Sequence, residues 1–457
     1  MSHVTRQIAE FAAGVTYEDL PAEVVTTAKR FLLDSLGCAL GGAQQHDVEL
    51  ARRVLRETAG AGPCRVMVTG ESWDPLSASL LNALMIRVMD YNDIYWKQDP
   101  SHPSDLIPAA LACAERAGGS GRDLTVGIVL AYEIEQRLCE ISFPGIREIG
   151  WHHATLTAAA APVAAGRMLG LDARKIQHAI GISASRHCTT GSVTAGNLTM
   201  MKNTVDPLAT QSGVLAALLA EQGYTGPEHV LDGKEGFSHV FNTDWRFDLL
   251  VDGLGERWRI LDCGMKFFPT EALTHTPISA LLDLVSEHEL RPEQVEKVTV
   301  YSLARAADIL ADESKYDPSS KETADHSLPW VLAAALARRR VTPVEFTDEA
   351  LADATIRRQL RKIEVVADAE IERVFPELQR VRVVVRTTDG REVETQLDYP
   401  KGDPRNPLTD DEIVGKMAAL AKGIAADDEV ERMGSAISRA EVFDDVRELA
   451  GALVVRS

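Results

Sequence analysis

The chain is 457 residues long, with 45% hydrophobic and 25% charged residues. That composition is ordinary for a soluble globular protein, and the length predicts two domains rather than a single core. With 48 Lys and Arg against 68 Asp and Glu, the net charge is −20, a balance that argues against nucleic acid or an anionic membrane as a partner.

The first twenty residues, MSHVTRQIAEFAAGVTYEDL, read as a helix and lack the long apolar stretch of a signal peptide. No apolar run reaches the roughly 20 residues that span a bilayer, so the cytoplasm is the expected compartment. Further along stands Met89-Asp90-Tyr91-Asn92-Asp93, followed by Trp96 and Lys97 and then by Ser101-His102-Pro103-Ser104-Asp105. This polar, proline-broken stretch feeds the apolar run 106–112. Such loops hold reactive groups at the edge of a core. The plainer reading is a solvated loop that caps a helix through Ser104 or Asp105.

Residues 126–140, 155–169 and 209–221 are alanine-rich and apolar around most of a helical circumference, which predicts helices buried on several sides. Before the second lies Gly150-Trp151-His152-His153-Ala154-Thr155. Adjacent histidines cannot share a helix face, so at most one points at a given ligand. The plainer reading is a helix cap with a buried histidine. Before the third lies Met200-Met201-Lys202-Asn203.

From about residue 266 the texture changes. Residues 297–301, 362–366 and 381–385 are strand-like, and Asp389-Gly390 separates 384–387 from 393–397 as a hairpin would. Helical segments at 277–289 and 328–339 complete a small α+β domain. Lys266-Phe267-Phe268-Pro269-Thr270-Glu271, with His275 beyond it, opens this region. Glu322-Thr323-Ala324-Asp325-His326-Ser327-Leu328-Pro329-Trp330 lies inside it, with Ser327 placed to cap the next helix. Residues 409–454 are helical again and are expected to return to the first domain. The expected division is a helical domain over 1–265, an α+β domain over 266–400, and C-terminal helices over 401–457. The six cysteines, at 38, 64, 113, 139, 188 and 263, form no C-x-x-C pair and suit neither zinc nor an iron–sulfur cluster. Buried reduced thiols are expected. The chain has no Gly-rich nucleotide motif, and neither a cofactor nor a metal is expected.

Taken together, DYND and HPSD, GWHHAT, MK with QSGVLAALLAEQG, KFFPTE and KETADHSLPW resemble, in order and spacing, the MmgE/PrpD family. That family includes 2-methylcitrate dehydratase and cis-aconitate decarboxylase. The likeness runs from residues 30–37 to the segment YPKGDPRNPLT, and the GW-x-H, KFFP-x-E and ETADHS forms look closer to the dehydratase branch. By position, Asp93, His102, His153, Lys202 and Lys266 match catalytic residues of the family. Lys97, His275, His326 and Trp330 are candidates for binding substrate. Three positions depart from the pattern: Trp330 replaces a tyrosine, Leu273 a histidine of the dehydratase branch, and His152 an aspartate of that branch.

The resemblance implies a mostly α protein, with a large all-helical domain, a smaller α+β lid, a cleft between them, and a homodimer without metal. A small polycarboxylate needs several cations, and Lys202, Lys266, His102, His153 and His275 can supply them. Removing a proton beside a carboxylate needs a base, and expelling hydroxide needs an acid. Asp93 is expected to orient His102 and favour its charged form, and the helix start after His153 to favour that ring's neutral form. The first functional reading is a metal-free hydro-lyase that dehydrates a 2-methylcitrate-like tricarboxylate. The alternatives are a cis-aconitate-type decarboxylase or a dicarboxylate epimerase on the same scaffold, or a silent polycarboxylate-binding relative. The retention of His102, His153, Lys202 and Lys266 speaks against the last.

Overall fold

The alanine-rich segments are helices, Gly121–Leu138, Ala154–Met168 and Met201–Glu221. The Ala154 helix is buried along nearly its whole length, as expected for a segment apolar all round. Small residues set its distance from the Met201 helix: a Cβ on Gly213 would stand 2.3 Å from the Ala161 Cβ. The computed structural model describes residues 3–456, and 21 α-helices with several small sheets make it mostly α. None of the helices among these residues is long and apolar enough to cross a membrane.

The chain divides into two compact units. The first takes the residues through Gly191, Asn203–Cys263 and everything from Thr409 onward; the second takes Ser192–Lys202 and Gly264–Leu408. Unlike the division read from the sequence, the second unit runs to 408 and includes the segment that ends at Lys202.

In the first unit the C-terminal helix Asp410–Ala421 packs on the helix Ala22–Gly42. A buried ion pair joins them, Lys416 Nζ to Asp34 Oδ1 at 2.7 Å, and the same ammonium donates to the Tyr91 carbonyl and lies 4.0 Å from the Tyr91 ring. Five cysteines are buried, Cys188 is exposed, and all six are free thiols.

The second unit is built on a four-stranded sheet. Its order is Glu392–Leu397, Val381–Thr387, Val295–Ser302, Ile363–Ala367. The first two pairings are antiparallel and the last is parallel. Val383 opposes Val300 and Val385 opposes Val298, and all four are buried beneath the helices His275–Glu287 and Leu328–Arg338. The hairpin turns at Asp389-Gly390, where Gly390 takes φ +87°, a value that disfavours a side chain.

Breaking the Lys416–Asp34 pair leaves a buried carboxylate without its cation. Lys416→Ala is expected to cost about 3–5 kcal/mol in urea denaturation, and Lys416→Met combined with Asp34→Leu to recover most of that loss.

Candidate active site

The segment read as a polar loop is a tight hairpin. Asp93–Trp96 pairs antiparallel with Pro100–Ser101, and a 3₁₀ turn, Pro103–Leu106, leads into the helix Ile107–Ala117. His102 sits between the strand and the turn, buried, and its side chain makes no capping bond. Its Nδ1–H donates to the Asp93 carbonyl at 2.7 Å, which places the lone pair of the neutral ring on Nε2. Asp93 therefore orients His102 through its backbone; its carboxylate accepts instead from Ser104 N at 2.9 Å and Ser104 Oγ at 2.7 Å. Ser104 and Asp105 do not cap the helix. Burial pushes the Asp93 carboxyl up to about 6 against these donors. Lys97, in the turn of the hairpin, is half-buried and within electrostatic reach of Asp262.

His152 and His153 are both buried, with ring centroids 4.0 Å apart, and the His153 ring stands edge-on to His102 at 5.4 Å. His153 occupies the N-cap position of the Ala154 helix, again without a side-chain cap. Neither His102 nor His153 caps a helix through its side chain. His153 Nε2 faces a carboxylate: Asp206 Oδ2 lies 3.4 Å away, at ion-pair distance. The ring biased to the neutral form is His152, held well below the usual histidine range by burial and then by His153. Its Nδ1 accepts from Ala154 N–H at 3.1 Å, so its Nε2 carries the proton.

Behind the rings lies Arg87, at the end of the helix Pro75–Arg87 and 3% exposed. Its guanidinium reaches Asp90 Oδ1 at 2.7 Å, Asp105 Oδ2 at 3.4 Å and Asp206 Oδ2 at 3.6 Å. Burial pushes the Asp206 carboxyl up, but His153, His152 and Arg87 together outweigh it and hold Asp206 well below the usual carboxylate range. Burial wins at Asp105 and at Glu135, both raised well above that range. His152, His153 and Asp206 each bring a ligand atom within 4.8 Å of the others. The only lone pair on the neutral His152 ring is committed to Ala154 N–H. That leaves two ligands, fewer than a zinc site uses.

The second unit collects cations around one carboxylate. Asp325 receives Lys202 Nζ at 3.3 Å on each oxygen, Lys321 Nζ at 3.4 Å and His326 Nδ1 at 2.7 Å. Burial raises the Asp325 carboxyl, but Lys202, Lys321 and His326 hold it down at about 2. Glu271 N–H donates to the Asp325 carbonyl at 2.9 Å, which joins the KFFPTE segment to ETADHS. Lys266 is 2% exposed, directly after the strand Gly264–Met265. His275 opens the His275 helix, buried, with Nε2 3.3 Å from the Thr270 carbonyl and its ring 5.5 Å from Phe268. Trp330 is fully buried and its Nε1–H donates to the Glu345 carbonyl at 3.2 Å, so its one polar atom serves the interior of the unit. Ser327 caps the Leu328 helix by accepting from Trp330 N, as expected.

The sequence reading missed Arg87, Glu135, Thr157, Asp206, Lys321 and Asp325. Two left a signal. Glu135 interrupts an otherwise apolar helix, and Asp206 stands one turn after Lys202, just before Pro207. A charge amid apolar neighbours is rarely buried without a partner.

Known proteins share this architecture. The MmgE/PrpD N-terminal domain model matches residues 6–250, and the MmgE/PrpD C-terminal domain model matches residues 268–440. A cis-aconitate decarboxylase-like protein of Aspergillus oryzae is 26% identical over 470 residues, 98% of this chain and 96% of that protein. Human cis-aconitate decarboxylase is 25% identical, over 99% of this chain and 95% of its own. The 2-methylcitrate dehydratase of Cupriavidus necator is 25% identical, over 89% of this chain and 85% of its own.

The Asp325 cluster sets a pH dependence. Its folded carboxyl titrates at about 2, below the ordinary 3.8, so it adds stability above about pH 4 that is lost as the pH falls towards 2. Relative to Asp325→Asn, the wild type should gain about 2 kcal/mol at pH 6 and progressively less at pH 3. Denaturation curves at the two pH values check this, and a difference that does not change with pH would contradict it.

Proposed function

The chain belongs to the MmgE/PrpD family, and from that premise we propose that it is a lyase acting on a small polycarboxylate by acid–base chemistry. The observation that carries this reading is the pair of buried histidines, His102 and His153, with ring centroids 5.4 Å apart. His102 is fixed by a backbone carbonyl so that Nε2 carries its lone pair, and His153 is held beside an anion. Two oriented rings can take a proton beside a carboxylate and give one to a leaving group. Asp93, with its carboxyl near 6, is a third group able to exchange a proton close to neutral pH. On this reading Lys202 and Lys266 bind substrate carboxylates, and Lys97, His275 and His326 assist them. The interior position of Trp330 gives it a packing role instead.

The reaction we favour is dehydration of a 2-methylcitrate-like tricarboxylate. It needs both a base and an acid, and the site offers more proton carriers than a decarboxylation would use. The second reading is a cis-aconitate-type decarboxylase. It is favoured by one observation: the decarboxylase relatives align over nearly their full length, and the dehydratase relative over 85% of its own. Both reactions pass through a carbanion-like species beside a carboxylate. On this reading the protein works in the cytoplasm as a homodimer.

A panel of citrate, 2-methylcitrate, cis-aconitate and related acids, followed by NMR, decides between them. Growth of a new conjugated double bond supports dehydration, and carbon dioxide release supports decarboxylation. Turnover of none of these acids would reject the lyase reading. With the active substrate, His102→Gln and His153→Gln are each expected to lower kcat by about 10²–10⁴-fold, with thermal midpoints close to the wild type.

A further inference from the structure

His153 is buried, and Asp206 Oδ2, 3.4 Å from Nε2, is its closest charged partner. Both ring nitrogens lack a hydrogen-bond partner among the described residues, as does Asp206 Oδ2. The other carboxylate oxygen is held from behind: Thr157 Oγ lies 3.2 Å from Asp206 Oδ1 and 2.6 Å from Glu135 Oε1. A hydroxyl has one proton to give. Burial pushes the Glu135 carboxyl well above its ordinary range. The Thr157 hydroxyl stands within donating reach of Glu135, of Asp206 and, at 3.4 Å, of the His153 carbonyl, so it ties all three together. Thr157 is on the Ala154 helix, Glu135 on the Gly121 helix and Asp206 on the Met201 helix, so the chain spans three packed elements.

We propose that Asp206, which Thr157 contacts from behind, is a positioning residue that keeps the His153 proton on Nε2 and leaves Nδ1 as the nitrogen that reacts. When Nδ1 takes the substrate proton, the ring becomes an imidazolium with both nitrogens protonated, and the Asp206 carboxylate balances its charge. The same proton leaves from Nδ1 when the ring acts as an acid, and Asp206 itself stays ionised throughout. The remaining charges around the pair are consistent with this arrangement. Arg87 faces Asp206 from the Pro75 helix and adds to the effect of His153 and His152 in holding its carboxyl low. Asp105 beside it is raised by burial towards its neutral form, and His152 is neutral. Asp99 and His187 lie within electrostatic reach from the hairpin and from the segment after the Ala173–Ala184 helix, and Arg147 acts on His152.

This assignment rests on the lyase reading for its kinetics but not for its geometry, so the test has two arms. In ¹⁵N-histidine-labelled protein without substrate, the neutral His153 ring should show its proton on Nε2 in the wild type and lose that preference in Asp206→Asn. With the active acid, Asp206→Asn should lower kcat by about 10²–10⁴-fold while KM stays within a few fold. The acidic limb of the pH profile should move to lower pH, because the imidazolium has lost its anion. Asp206→Glu should restore part of kcat. Thr157→Val is isosteric and answers the question even if Asp206→Asn does not fold; it should lower kcat by about tenfold with KM unchanged. An unchanged ring tautomer and pH profile in both variants would overturn the role of Asp206. A wild type that turns over none of the acids would instead refute the lyase reading, and the ¹⁵N arm would still decide the position of the proton.

Discussion

One buried guanidinium organises the helical unit. Arg87 stands among Asp90, Asp105 and Asp206 with almost no solvent contact, and its charge works against burial at Asp105 and Asp206. Removing an ion from water costs several kcal/mol even after the protein relaxes, so carboxylates that outnumber their cations tend to take up protons. Here the division is uneven. Asp206 keeps its charge because Arg87 and two histidines face it, while Asp105 and Glu135 are pushed towards the neutral form. One anion is left next to His153, flanked by neutral acids.

The two units solve opposite electrostatic problems. The first buries His102, His152 and His153 in an interior rich in carboxyl groups. The second gathers Lys202, Lys321 and His326 around a single carboxylate on a protein of net charge −20. Asp325 keeps its charge among these cations and fixes where their N–H groups point. Ammonium groups already ordered by an internal carboxylate lose less conformational freedom when a second carboxylate binds than free surface lysines would. The carbonyl of Asp325 also ties down Glu271, so the segment that carries Lys266 is anchored to the same residue.

Much of the fold could be read from the sequence, because it was written in period and turn chemistry. The segment 155–169 was apolar all round and is the helix Ala154–Met168. Asp389-Gly390 announced a hairpin, and Glu392–Leu397 pairs with Val381–Thr387 across it. The side chains at DYND, HPSD, HHAT and DHS could be singled out because polar groups stood next to apolar runs. Their mutual arrangement could not. Whether Asp93 holds His102 by its carboxylate or its carbonyl depends on a strand pairing only two residue pairs long, Tyr95 with Ser101 and Trp96 with Pro100. Arg87 and Asp206 are far apart in the chain and meet only through helix packing, which no local pattern encodes. The tautomer of His152 was equally hidden. It follows from one backbone N–H, that of Ala154, which uses the His152 Nδ1 lone pair.

The abundance of alanine and glycine in the buried helices then has a function beyond filling space. Asp206 and His153 lie on two helices that approach closely enough for Gly213 to face Ala161 without room for another methyl. A larger residue at either position would push the Met201 helix away from the Ala154 helix. The carboxylate would retreat from a ring that already stands at 3.4 Å, and Thr157 Oγ, now 3.2 Å away, would pass beyond hydrogen-bond reach. Proton transfer falls off steeply with such displacements, and a shift of about 1 Å far from the reacting atoms can cost 10²-fold in rate. The smallness of the core residues and the precision of the acid–base pair are therefore one constraint. Long side chains would give this core apolar area, but only short ones let a buried anion be placed against a buried ring.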